Sequence, residues 1–326
     1  MTVRNSVVSV PGSTSNLGGG FDCVGMAVDR WLTASVEIDA HAHGVRIARS
    51  GTLAALSCSA LDDLLYAGFA AACRQAHHET PPGLSFTVTS TIPVARGLGS
   101  SAAALVAGAG LADAALGLGL GGGGVALLVS QLEGHPDNAA PSVYGGAMLG
   151  VARNGVHGES DDRYVFSPLA VHPSLAFVFA VPPLEVTTAA ARAVLPAMVP
   201  FTQAVQALQR SAALVHGLAT GEAELLTMAL TDVLHVPYRR ALVPGYDAVV
   251  AAACRSGAFG GTLSGSGSAL LAIGPRDLAP AIASAMVAAF AANGLDASSF
   301  VSEGAVGGMR SGHQDARSET WANPAS

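Results

Sequence analysis

Lysine is missing from all 326 residues, and the 16 basic residues are all arginine. That excludes the Walker A loop, which ends in Gly-Lys-Ser/Thr, and the strand lysine of protein kinases. Schiff-base chemistry on a lysine is excluded with them. A skewed genome composition is the bland source of the absence, and the exclusions hold either way. Charge of any kind is scarce: Asp, Glu and Arg make up 12% of the chain, with a net charge of −7, well under the usual charged share. With no basic tract, a nucleic-acid partner is not expected. The cysteines are also few, and Cys23, Cys58, Cys73 and Cys254 form no CxxC pair. They read as small buried apolar residues. Long apolar runs are lacking too, because Gly or Pro cuts most of them and the first stops at Pro11. No membrane span or leader pattern is apparent, so a cytoplasmic protein is expected.

What is plentiful is apolar residue, Ala and Gly. Half the chain is hydrophobic (50%), enough for a sizeable core in one large or two ordinary domains. Strand patterns fall at Ser6–Val10, Leu32–Asp39, Ser85–Ile92, Val143–Val151, Leu175–Val181, Ala269–Ile273 and Ser299–Glu303. Helical spacing marks Asp62–Gln75, Ala102–Leu118, Val125–Leu132, Thr202–Leu218, Gly221–Leu234, Tyr246–Ser256 and Leu278–Asn293. Pro11–Gly20 reads as a loop, and Gly117–Gly124 as a tract that breaks any element. Arg153–Arg163 is the best linker candidate, and from about Ser311 a loose tail is expected. Strands and helices alternate in both halves, which indicates an α+β protein.

The stretch Ile92-Pro93-Val94-Ala95-Arg96-Gly97-Leu98-Gly99-Ser100-Ser101-Ala102-Ala103 carries most information. A glycine turn runs straight into an alanine-rich helix that opens with two serines. Glycines admit unusual angles and close approach, and a free helix N-terminus attracts anions. The hexad Gly97–Ala102 also fits a relaxed dinucleotide fingerprint, GxGxxA. That reading fails on context, since Pro93–Arg96 separates strand from turn and no acidic residue stands about twenty positions on. Glu133-Gly134-His135-Pro136-Asp137-Asn138 crowds two carboxylates, an imidazole and an amide at a helix end. There Glu133 could reach a Mg²⁺ on phosphate oxygens, or the glycine and proline simply end the helix. Three further clusters stand out: Asn16–Asp22 around three consecutive glycines, Ser264-Gly265-Ser266-Gly267, and the arginines of Thr187-Thr188…Arg192 and Tyr238-Arg239-Arg240. Arginine suits bidentate grip of a carboxylate, although a solvated helix face is its commoner place.

Together these segments resemble the GHMP kinase superfamily, and most closely its homoserine kinase members. The resemblance runs in order from Val7 to Gly304. It rests on Asn16-Leu17-Gly18 with Gly20-Phe21-Asp22, Pro93–Ala103, Glu133–Asn138 with Ala140-Pro141 and Gly145-Gly146, Thr188 with Arg192, His235 with Pro237-Tyr238-Arg239, and Ser264–Gly267. It implies a GHMP kinase fold: an N-terminal α/β domain like ribosomal protein S5 domain 2 (1–160), a ferredoxin-like α+β domain (161–310) and a tail (311–326). It further implies that Pro93, Val94, Ala95, Arg96, Gly97, Leu98, Gly99, Ser100, Ser101, Ala102, Ala103, Gly265, Ser266 and Gly267 hold ATP. Ser100 and Glu133 would hold Mg²⁺. Asn16, Asp22, His135, Asp137, Asn138, Thr188, Arg192 and Arg239 would surround L-homoserine, with the two arginines on its α-carboxylate. Glu133, Asn138, Thr188 and Arg192 would carry the in-line phosphoryl transfer. Some relatives place an aspartate base where this chain has Asn138, so no strong base is expected. The family usually has proline at position 19, so Gly19 predicts a more mobile loop. A homodimer is compatible with the resemblance. Competing readings are another GHMP kinase acting on a mevalonate- or shikimate-like alcohol, and a silent binding protein on the same fold. A serine hydrolase using Ser100, His135 and Asp137 lacks a nucleophile elbow.

Overall fold

The computed structural model describes residues 5–153, 164–315 and 318–322. Its strands are β1 (Asn5–Asn16), β2 (Gly20–Ile38), β3 (Gly44–Gly51), β4 (Gly83–Ser90), β5 (Ala147–Ala152), β6 (Tyr164–Leu169), β7 (Leu175–Val181), β8 (Gly260–Leu263), β9 (Leu270–Pro275), β10 (Ser298–Ser302), β11 (Arg310–Asp315) and β12 (Ser318–Ala322). Its α-helices are α1 (Leu64–Gln75), α2 (Ser100–Leu116), α3 (Gly121–Glu133), α4 (Ala139–Tyr144), α5 (Thr188–Ala193), α6 (Phe201–Thr220), α7 (Ala223–Leu230), α8 (Val236–Arg239), α9 (Tyr246–Arg255) and α10 (Ala279–Ala292).

The larger sheet runs β12-β11-β1-β2-β4-β3, and the long β2 also pairs with β5, which leads on to β6. The smaller sheet is β10-β7-β9-β8, antiparallel throughout. Strand β7 shows what joins the two halves. All seven of its residues are buried, and their alternation sends them into different cores. Leu175, Phe177, Phe179 and Val181 join the cluster that includes Phe69, Val106 and Leu214, while Ala176, Val178 and Ala180 face Val249, Ile282 and Phe290 of α9 and α10.

Four expectations change. Pro11–Asn16 is strand, not loop, because β1 continues past Pro11 with a register shift against β2 and pairs on to Asn16. The glycine tract does not break every element: α3 begins inside it, where the Asp113 carboxylate accepts the N–H groups of Leu120 and Gly121 at 2.9 Å each. Val143 and Tyr144 end a helix, so the strand there starts only at Ala147. From Arg310 to Asp315 the expected loose tail is a strand against β1, itself paired with β12. Apart from Arg153, the linker candidate lies outside the described residues.

The Asn16–Gly20 turn is wedged tightly despite Gly19. Leu17 is fully buried, Gly19 donates its N–H to the Ala229 carbonyl at 2.9 Å, and a Cβ on Gly19 would stand 2.7 Å from the Arg210 carbonyl carbon in α6. Glycine at 19 is therefore a packing requirement of α6, and the mobility expected from the missing proline does not follow. We predict that Gly19→Pro, which adds ring carbons and removes that donor, destabilises the protein by about 2–3 kcal/mol in denaturant titration. A stability equal to wild type would contradict this packing argument.

Candidate active site

Between β4 and α2 the chain turns through Pro93–Gly99. Gly97 and Gly99 adopt left-handed angles, φ 73° and 68°, which glycine takes without penalty. Close approach demands glycine as well: a Cβ on Gly97 would lie 1.9 Å from the Ser264 carbonyl oxygen, and one on Gly99 2.1 Å from Ser13 Oγ. The turn is thus clamped between β1 and the loop after β8. What faces the open space is the start of α2, which has no side-chain cap and no acidic residue in its first turn. Its unsatisfied N–H groups and dipole constitute an anion site.

A cleft of about 630 Å³ opens there. It brings together most of the residues singled out in the sequence: Asn16, Asp22, Val94 through Ala102, Glu133, His135, Asp137, Asn138, Thr188, Arg192, Arg239, Gly265 and Ser266. Pro93, Ala103 and Gly267 do not line it. Ala103 points into the core from α2, and Gly267 packs near Leu263 and Val243.

Glu133 closes α3 and turns its carboxyl toward the cleft, where Oε2 is buried without a hydrogen-bond partner. Burial pushes this carboxyl up to about 7; Asp137 adds to the rise, while His135, a Ser101 hydrogen bond and Arg192 work against it. His135 Nδ1 donates to Asp137 Oδ1 at 2.7 Å. Burial opposes charge on this imidazole, yet the bond and charge of Asp137 prevail and raise its pKa. Asn138 is fixed by two serines of β1: Ser13 Oγ donates to Oδ1 at 3.0 Å, and Nδ2 donates to Ser15 Oγ at 3.2 Å and to Asp137 Oδ1 at 3.3 Å. Sequence reasoning passed over Ser13 and Ser15. Read as strand, their i, i+2 spacing puts both on one face.

The two arginines differ. Arg192, in α5, donates Nη1 and Nη2 to the two carboxylate oxygens of Asp22 at 3.1 and 2.9 Å. Arg239, in α8, is 3% exposed; its Nε donates to the Ala191 carbonyl at 2.9 Å and its guanidinium lies 5.1 Å over the Phe21 ring. Burial, then the charge of Arg192, lowers its pKa. Phe21 also stacks on buried His235, with ring centroids 5.0 Å apart, and His235 Nε2 donates to the Gly18 carbonyl at 3.2 Å. Thr187 caps α5, and Thr188 opens it at the cleft wall.

The far end of the cleft is apolar, with Leu32, Leu53, Leu56, Leu65, Val88 and Leu105. Sequence reasoning missed this lobe, since apolar residues scattered over four elements and a loop carry no local signature. Asp63 sits beside it with both oxygens engaged: Oδ1 accepts the Leu65 N–H at 2.8 Å and Oδ2 meets Arg49 Nη2 at 2.6 Å.

An uncapped helix end, a buried carboxyl with one unpartnered oxygen and an opposite-charge pair meet in one cleft, an arrangement able to take a polyanion, a cation and a small polar acceptor. Comparison with known proteins identifies the family. The description "GHMP kinases N terminal domain" matches residues 63–146, and "GHMP kinases C terminal" matches residues 205–292. The chain belongs to the GHMP kinase family. Similar proteins include the homoserine kinase of Synechococcus sp., 37% identical over 88% of this chain and 92% of its own, and that of Gloeobacter violaceus, 40% identical over 86% and 91%. Among solved structures, homoserine kinase from Cytophaga hutchinsonii superposes with a TM-score of 0.82 at 28% identity, covering 95% of this chain and 98% of that one. L. major mevalonate kinase, at 17% identity and a TM-score of 0.67, shares the fold.

Glu133 provides a pH test. A carboxyl whose folded pKa lies above its unfolded value leaves the native state with more bound protons than the unfolded one between the two values. Stability therefore falls as pH rises through that window, from about 4.5 toward 7. We predict that the metal-free protein loses about 1–3 kcal/mol over this range, and that Glu133→Gln flattens the loss. Parallel pH profiles of wild type and variant in urea titrations would refute the assignment.

Proposed function

We propose that this protein transfers the γ-phosphoryl group of ATP to the hydroxyl of L-homoserine, giving O-phospho-L-homoserine on the route to threonine. The observation that carries this reading is the meeting, in one cleft, of the open α2 N-terminus, the unpartnered Glu133 Oε2 and the buried Arg239. ATP fits that arrangement: N–H groups of α2 for the phosphates, and the apolar lobe for the base. The donor set also suits Mg²⁺, with a single carboxylate, a serine hydroxyl at 100 and room for phosphate oxygens and water. When bound, Mg²⁺ supplies charge neutralisation of the triphosphate, and Ser100 and Glu133 are the residues to hold it. No lysine is required, which suits a chain without any. The cytoplasm is where we place this activity.

The acceptor is held by the remaining groups. Arg239 and Arg192 receive the carboxylate, Asp22 the ammonium group, and Asn16, His135, Asp137 and Thr188 complete the enclosure. Asn138 has a definite capacity left. Both hydrogens of Nδ2 and one lone pair of Oδ1 are committed to Ser15, Asp137 and Ser13, so one Oδ1 lone pair remains. It accepts the substrate hydroxyl's hydrogen and aims its oxygen, without removing the proton as a base would. A loose phosphoryl-transfer transition state asks for little early deprotonation.

An ATP-consumption screen with Mg²⁺ over homoserine, mevalonate, shikimate and sugars tests the substrate. Turnover confined to a non-amino-acid alcohol would defeat the homoserine reading. Glu133→Ala is expected to lower kcat about 100-fold or more, with little change in the KM for homoserine. Asn138→Asp is expected to lose activity. An increase that follows a new acidic pKa would show that a base is needed after all.

A further inference from the structure

Arg192 and Asp22 come from segments 170 residues apart and meet at the cleft wall through two parallel hydrogen bonds of 3.1 and 2.9 Å. Their side chains are 40% and 36% exposed, so solvent and a ligand in the cleft can both reach the pair. Each partner is anchored from behind. The main-chain N–H of Asp22 donates to Asn16 Oδ1 at 3.0 Å, and Phe21 beside it packs against both Arg239 and His235. Thr187 Oγ1 caps the helix that carries Arg192, accepting the Ala190 N–H at 3.1 Å.

The pair is therefore a contact between two seated side chains, joining the start of β2 to α5. Both groups are also those that the proposed substrate needs. An amino acid carries the two complementary charges, an ammonium for Asp22 and a carboxylate for Arg192.

We infer that the Asp22–Arg192 ion pair is a two-charge selector: a zwitterionic substrate opens it by exchange, and a singly charged alcohol cannot open it with profit. The inference rests on the acceptor reading given above. The arithmetic of pairs is simple. A zwitterion breaks one ion pair and makes two. A ligand with only a carboxylate, or only an ammonium, breaks one and makes one, leaving the other protein group to water. Because a half-exposed pair of this kind is worth little by itself, the gate opens readily for the right ligand. Discrimination arises from the count of pairs, not from the strength of any one.

This gives an outcome that ordinary binding residues do not. Removing Asp22 should weaken homoserine yet strengthen a hydroxy acid that lacks the amino group, since Arg192 is then free beforehand. Removing Arg192 should do the reverse for an amino alcohol that lacks the carboxylate. Isothermal titration in the presence of a non-hydrolysable ATP analogue measures both. With Asp22→Asn, 4-hydroxybutanoate is expected to bind about five-fold tighter than to wild type; with Arg192→Gln, 3-aminopropan-1-ol is expected to gain similarly.

A second measurement separates the ion pair from simple charge repulsion. Phenylglyoxal labelling of Arg192, read by peptide mass spectrometry on the ligand-free protein, should be slow in wild type and several-fold faster in Asp22→Asn. Equal labelling rates would overturn the selector, as would loss of affinity for all three ligands in both variants. If instead labelling and titration behave as expected while wild type fails to phosphorylate homoserine, the selector stands and the acceptor reading falls.

Discussion

Everything at the cleft hangs on the hydrogen bonds that seat one turn, Ala95–Gly99. The Leu98 carbonyl accepts from the Ser13 N–H at 3.1 Å, the Gly97 carbonyl from Ser264 Oγ at 2.7 Å, the Arg96 carbonyl from the Ala269 N–H at 3.0 Å, and the Ala95 carbonyl from the Val186 N–H at 3.1 Å. Four consecutive carbonyls are thus claimed by three distant parts of the chain. With these carbonyls engaged, the α2 N-terminus is left as a free polar feature facing the cleft. A helix end satisfied by neighbours would have no reason to bind phosphate; this one is held rigid behind and left unsatisfied in front. The glycines serve that clamp first, because side chains at 97 and 99 would collide with protein before they met a ligand.

The same economy governs charge. In a chain this poor in ionisable groups, several of those it has converge on one cleft, and most are partnered there: His135 with Asp137, Arg192 with Asp22, Arg49 with Asp63. Glu133 stands outside these pairs, and its raised pKa is the electrostatic trace of burial that the charges of His135 and Arg192 do not offset. A metal ion would reverse that cost. Partnered groups therefore hold the geometry of the cleft, and Glu133 Oε2 stays unpartnered within it.

How far the sequence revealed this depended on whether the signal was local. The glycine turn with its serines, the Glu133–Asn138 string and the two arginine clusters are each local in sequence, and most of their residues line the cleft, although Gly134, Pro136, Tyr238 and Arg240 do not. Contacts between distant segments left no such trace. Nothing near Arg192 announces Asp22, and nothing near Asn138 announces Ser13 and Ser15. Composition misled where tertiary packing overrode it: Pro11–Asn16 looks like a loop but is a strand because β2 pairs with it, and Gly121–Gly124 starts a helix because Asp113 holds its first N–H groups. Gly19 is the clearest case. Flexibility is the local reading of three glycines in a row, whereas α6 presses on that residue so closely that only glycine fits.

The shared strand β7 explains why the cleft can be assembled from both halves and still be well defined. Its odd-numbered residues are part of one core and its even-numbered residues part of the other. Displacing either half would shift this strand in both cores at once, and close-packed cores resist such shifts. The Ala95–Gly99 turn belongs to the larger sheet's side, while Ser264 and Ser266 follow β8 of the smaller sheet. A clamp made of hydrogen bonds alone would slacken if the sheets slid past one another. Because β7 serves both cores, the carbonyls of Ala95–Gly97 meet their donors in register, and α2 keeps its N-terminus aimed at the same point in the cleft.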